Sequence, residues 1–182
     1  MQIFLLILGF SFISSVYAVD ATNRSVSDTK YENWRVIEFT MPRQMMYRLA
    51  SVSINDKSQS ITFDLNTHNN CRPDSAILVS ENSYASKSSK QGKMIYEYKV
   101  PGQTTSVELV NTVIEINDRF EFASFQRLTL PLLLETADKG NLAIWIPASG
   151  DGVVKRSENI FFSLRGLTRA YNQARKLCFE NR

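Results

Sequence analysis

Between Trp34 and Leu164 the chain is a series of short runs in which apolar and polar side chains alternate, and this period of two most constrains its fold. Ile61, Phe63 and Leu65 alternate with Thr62 and Asp64; Met94, Tyr96, Tyr98 and Val100 alternate with Glu97 and Lys99. A run of this kind buries one face of a strand and leaves the other to water. Trp34–Thr40, Met45–Ile54, Ala76–Ser80, Phe120–Phe125, Asn141–Ile146 and Asn159–Leu164 are also predicted strands, as is Val107–Asn117 with a bulge near Asn111-Thr112. Pro42, Asn55-Asp56-Lys57-Ser58, Pro101-Gly102 and the stretch 147–152 supply the turn chemistry between them.

Two segments switch to helical spacing. Thr129 stands where a helix cap belongs, Pro131 falls in the first turn, Leu130, Leu133, Leu134 and Ala137 share a face, and Gly140 stands as the stop. From Leu167 to Phe179, the residues Leu167, Ala170, Tyr171, Ala174, Leu177 and Cys178 form one stripe. The expectation is an α+β fold, mostly antiparallel β and β-sandwich-like, with two helices in the C-terminal half.

Ile3–Ile13 is an apolar run too short to span a bilayer, and it ends in Ser14-Ser15-Val16-Tyr17-Ala18, which suits a signal peptidase. Cleavage after Ala18 leaves 164 residues beginning at Val19, enough for one domain with a sizeable core. No other run approaches the ~20 apolar residues of a spanning helix, so no integral membrane segment is expected after the leader. Residues 19–33 are polar and aperiodic and read as a flexible segment before a single β-rich domain over 34–182.

Cys71 and Cys178 are the two cysteines of a chain routed to an oxidising compartment, and a disulfide between them is expected. Cys178 lies on the apolar stripe of the last helix, which favours a buried bridge over a reactive thiol.

The inventory for chemistry is thin. One histidine, His68, and two paired cysteines leave too few ligands for a zinc site, and neither a nucleophile elbow, a phosphate cradle nor a calcium loop occurs. No metal, no cofactor and no catalytic residue is assigned. Glu115, Asp118 and Glu121 are the acids that a glycan hydrolase would need, provided that two of them face one cleft. Export argues against a nucleic-acid partner. Charge is uneven: from Lys155 onward seven Lys/Arg stand against Glu158 and Glu180, a local +5, while residues 1–154 come to −2. Arg165, Arg169 and Lys176 on the last helix, read as short of acids to pair them, join Lys87 and Lys90 of the polar Ser80–Lys93 loop as candidate binding residues.

The closing stretch Phe161-Phe162-Ser163-Leu164-Arg165-Gly166-Leu167, followed by Ala170 and Cys178, resembles the Phe-x-Leu-x-Gly-Leu…Ala…Cys ending of the TagO/VasI type VI secretion accessory proteins. A related ending occurs in the invasion-associated locus B proteins. The Ile116-Asn117-Asp118 turn, the Leu-rich segment 130–139 and the strand Leu142–Ile146 follow a similar order. The resemblance implies a periplasmic or secreted, non-enzymatic domain of a Gram-negative bacterium, and it carries over no catalytic residue. The expected function is therefore an exported accessory or binding protein linked to secretion or host interaction, with a protein partner in the periplasm or envelope. A periplasmic inhibitor or immunity protein and a carboxylate-dependent cell-wall glycan hydrolase are the alternatives.

Overall fold

A computed structural model describes residues 24–41, 44–68, 70–73, 75–81, 91–115, 120–137, 139–147 and 156–181. The predicted leader, most of the Ser80–Lys93 loop with Lys87 and Lys90, and Asp118 lie outside the described residues. Ten strands run in chain order: β1 Arg24–Tyr31, β2 Trp34–Met41, β3 Gln44–Val52, β4 Gln59–Asn66, β5 Ile77–Ser80, β6 Gln91–Lys99, β7 Ser106–Glu115, β8 Phe120–Ser124, β9 Asn141–Pro147 and β10 Arg156–Ser163. Helix α1 spans Leu130–Leu134 and helix α2 spans Leu167–Glu180. The strands form one sheet in the order β1-β2-β3-β4-β5-β8-β7-β6-β9-β10, and each neighbouring pair is antiparallel.

The expected α+β, sandwich-like class is what forms. The N-terminal strands β1–β5 make a meander, and β8, β7, β6, β9 and β10 extend it as a second half. The sheet folds over so that β10 meets the far side of the meander. Ile54 donates its backbone N–H to Phe161 O at 2.8 Å, and the Trp34 indole donates to Ser163 O at 2.9 Å. Between the halves lies the main core, which includes Trp34, Tyr47, Leu49, Phe63, Tyr96 and Phe125 from the strands, Leu130 and Leu133 from α1, and Leu167, Ala170, Ala174 and Cys178 from α2. Tyr96 and Tyr98 both meet Phe125 edge-on, at centroid distances of 5.4 and 5.9 Å. A smaller cluster of Ile37, Phe39, Met46 and Ala50 lies on the other face of β2 and β3. There Arg48 reaches across Phe39 and holds Asp64, its neighbour across the strands, through two bonds of 2.7 Å. Burial alone would lower the Arg48 pKa, but the hydrogen bond and charge of Asp64 outweigh it and hold the guanidinium above its ordinary value.

Three sequence expectations are corrected. Arg24–Tyr31, read as part of a flexible lead-in, is strand β1. It is an edge strand, with β2 as its one sheet neighbour, so its polar side chains need no apolar alternation. Ser27 instead bonds Glu38, and Asp28 pairs with Arg35 across to β2. The Leu-rich helix is a single turn and a half rather than 130–139. Thr129 makes no side-chain cap, and beyond Leu134 the bonds tighten to Thr136 N–Leu133 O and Ala137 N–Leu134 O while the Thr136 hydroxyl bonds the Leu132 and Leu133 carbonyls. The bulge at Asn111-Thr112 does not occur; both residues stay in register with Lys93 and Gly92 on one side and Ser124 and Ala123 on the other.

Gly166 joins the two ends of the fold. Its φ of +88° starts α2 in the left-handed region, and a Cβ there would run into the Tyr31 carbonyl at the β1–β2 turn. Gly166→Ala should therefore lower stability by about 1–3 kcal/mol or more in denaturant unfolding.

Tyr47 and Tyr98 have phenols raised above the usual 10.0. Burial is the chief cause for each, with the charge of Glu38 and Glu180 adding at Tyr47 and that of Glu108 at Tyr98; hydrogen bonds with Asn181 and Ser106 respectively oppose it. Raised folded-state values mean that the unfolded chain ionises first. Their stability contribution is complete below pH 10 and falls away as pH rises through the folded-state values. Unfolding titrations from pH 8 to 12 should show this alkaline loss, and Tyr47→Phe or Tyr98→Phe should make it shallower.

Candidate functional site

The turn after β4 carries Asn70 and Cys71 in consecutive left-handed conformations, φ +59° and +55°. Cys71 N–H bonds Asn66 O at 2.9 Å, which closes the turn and aims the sulfur inward. There it is bonded to Cys178 on the buried stripe of α2, 107 residues away, with the α-carbons 5.8 Å apart. The expected disulfide is present, and both residues are buried.

This tie brings three elements together around an open groove of about 640 Å³. The turn contributes Asn70, Arg72 and Pro73, α1 contributes Pro131, and α2 contributes Tyr171, Arg175 and Phe179. On α2 the last three stand at i, i+4 and i+8, so they share a face. The Arg175 guanidinium lies over the Phe179 ring, 5.4 Å from its centroid. That stacking orients the planar donors of arginine while leaving its edge available to an oxyanion. Arg72, Arg175 and Phe179 are exposed, and no carboxylate is among the described residues that line the groove.

The candidate cations named from sequence lie elsewhere. Arg165 and Arg169 both reach Glu32 of the β1–β2 turn, at 3.5 and 2.9 Å, beside a smaller hollow of about 260 Å³. Lys176 lies 3.8 Å from Glu180, one helical turn on. The expectation that this face lacks acids is thus overturned. Glu32 comes from the far end of the chain, and only the docking of α2 against the β1–β2 turn brings it there. All these pairs are solvent-exposed, so each is worth little to stability.

The carboxylates named for hydrolysis form no described cleft. Glu121 is fully buried in the interior with the Tyr96 hydroxyl 3.2 Å away, and of Glu115 only the backbone is described. Among the described residues no group of three His, Cys, Asp or Glu side chains could hold a metal ion, and no helix is long and apolar enough to cross a membrane.

The groove residues Arg72, Tyr171, Arg175 and Phe179 are not among the sequence candidates. A cation and aromatic stripe at helical spacing was the available signal, but Tyr171 also fits the core stripe and Arg72 sits in a turn with no pattern. Comparison with protein-family models, with curated proteins and with solved structures finds no match to this chain.

Breaking the bridge should loosen α2 and open the groove. Cys178→Ala should cost about 2–5 kcal/mol in denaturant unfolding, and reductant should have the same effect on the wild type and none on the variant.

Proposed function

We propose that this chain is an exported, non-enzymatic binding protein that holds an acidic segment of a protein partner in the groove beside its disulfide. The observation that carries this reading is the pair Arg72 and Arg175, set with Tyr171 and Phe179 around one groove that has no carboxylate among its described lining residues. An acidic segment would pair with the arginines while its apolar side chains pack on the rings, a combination that gives both orientation and area.

Further support comes from the leader predicted at Met1–Ala18, from a disulfide that suits an oxidising compartment, and from the resemblance of Phe161–Cys178 to secretion accessory proteins. These favour the periplasm or the cell exterior as the place of action, and a role in secretion or host interaction. A groove of stacked and exposed groups, without a base held against a nucleophile, suits capture better than turnover.

Arg72→Glu combined with Arg175→Glu should reduce partner capture from periplasmic extract at least about tenfold, roughly 1.4 kcal/mol. Wild-type capture should weaken steeply with added salt. Arg165→Glu with Arg169→Glu, at the end already paired with Glu32, serves as the control and should change capture far less. Both variants should melt within a few degrees of the wild type. Equal capture by the two double variants would overturn the groove as the binding site.

A further inference from the structure

The outer face of β6 and β7 breaks the usual division between core and surface. Ile95, Val107 and Leu109 are 56%, 55% and 58% exposed, while Glu108 between the latter two is buried. Glu108 accepts backbone N–H groups from Gln126 and Arg127, an arrangement that fixes the facing of β7 and turns its neighbours outward. Ile95 and Leu109 are direct cross-strand partners, and Val107 is opposite Glu97 in the next row. Row by row the face reads Asn111–Lys93, then Leu109–Ile95, then Val107–Glu97–Trp145. A contiguous apolar face of this kind marks an interaction surface.

The charges flanking it are what identify the occupant. Lys93 stands two residues before Ile95 and Glu97 two residues after, on the same face of one strand. A two-fold axis along the Leu109–Ile95 row, midway between two stacked sheets, would lay β6 antiparallel on a copy of itself. Ile95 and Leu109 would then meet their own counterparts. Lys93 would lie over Glu97 of the second copy, and Glu97 over Lys93, so these two charges each face their opposite. We infer that this chain forms a two-fold symmetric dimer through the outer faces of β6 and β7. A self-complementary patch is what an isologous interface requires. Sheets stacked about 10 Å apart would interdigitate the apolar row. The inference is independent of the groove, with which the face shares no residue.

Sedimentation velocity on the oxidised protein over a concentration series tests it. A concentration-dependent dimer is expected. Lys93→Glu or Glu97→Lys alone should raise its dissociation constant at least about tenfold, and the two together should bring it back to within about threefold of wild type, because each reversed charge again meets its opposite. Ile95→Cys, on the axis, should be joined to its counterpart by a short bismaleimide, whose span suits sheets stacked about 10 Å apart, whereas Lys99→Cys, away from the axis, should not. This second readout stands even if a charge variant fails to fold. A protein that stays monomeric at every concentration, or a dimer indifferent to both reversals and to cross-linking through Ile95→Cys, overturns the inference. Binding of a monomer to phosphatidylglycerol vesicles through this face would reassign it to a lipid surface and overturn it equally.

Discussion

The seating of α2 against β1–β4, held by the Cys71–Cys178 bond, is the constraint on which the candidate site depends. The helix presents a modest apolar stripe to the sheet: apart from Leu167 and the bonded Cys178, its fully buried residues are Ala170 and Ala174. Small side chains let the helix lie close, but they remove little apolar surface from water. Burying one leucine contributes about 1.5–3 kcal/mol and each alanine methyl about 0.8. A cross-link closing 107 residues is nominally comparable to that sum. At the opposite end of the helix, Gly166 sits against the Tyr31 carbonyl, and Asn33 and Trp34 bond Ser163 just before it. Helix α2 is thus fixed covalently at its C-terminal end and by close backbone approach at its N-terminal end.

This double fixation explains how charge is distributed. At the N-terminal end the β1–β2 turn delivers Glu32 to Arg165 and Arg169, which partly offsets what sequence alone reads as a basic face. At the C-terminal end the disulfide delivers Arg72 instead, so two cations, Arg72 and Arg175, line one groove with aromatic walls. Such a juxtaposition gains nothing for the isolated fold and is tolerated because both groups are hydrated. The same arrangement at the interior of the sheet would be costly, and there the chain pairs its charges closely. Arg48 with Asp64 and Glu108 with two backbone N–H groups are the examples.

Burial of Glu108 also shows where a binary pattern misleads. Val107-Glu108-Leu109 reads as an ordinary alternation with the acid outside, yet the strand takes the opposite facing. The N–H groups of Gln126 and Arg127, in the turn after β8, need an acceptor, and a carboxylate satisfies both at once. The outward facing of Val107 and Leu109 on β7 follows from that internal demand, while Ile95 on β6 is turned outward by the burial of Tyr96 and Tyr98. Local residue patterns carry no record of a requirement set by a turn some 18 residues away.

The sequence by itself determined the strands from Trp34 to Leu164 to within a few residues, the last helix and the cysteine pairing. The strands and the helix depend on periodicity among neighbours along the chain, and the pairing on there being two cysteines to join. Tertiary structure decided the rest: that polar Arg24–Tyr31 is a strand, because an edge position asks only for backbone partners; that the Leu-rich helix stops after Leu134, because a threonine hydroxyl competes for its carbonyls; and the order in which the strands join. It also decided which cations are paired. Ion pairing depends on distances between residues far apart in the chain, and α2 acquires both Glu32 and Arg72 as neighbours only when it docks on the sheet.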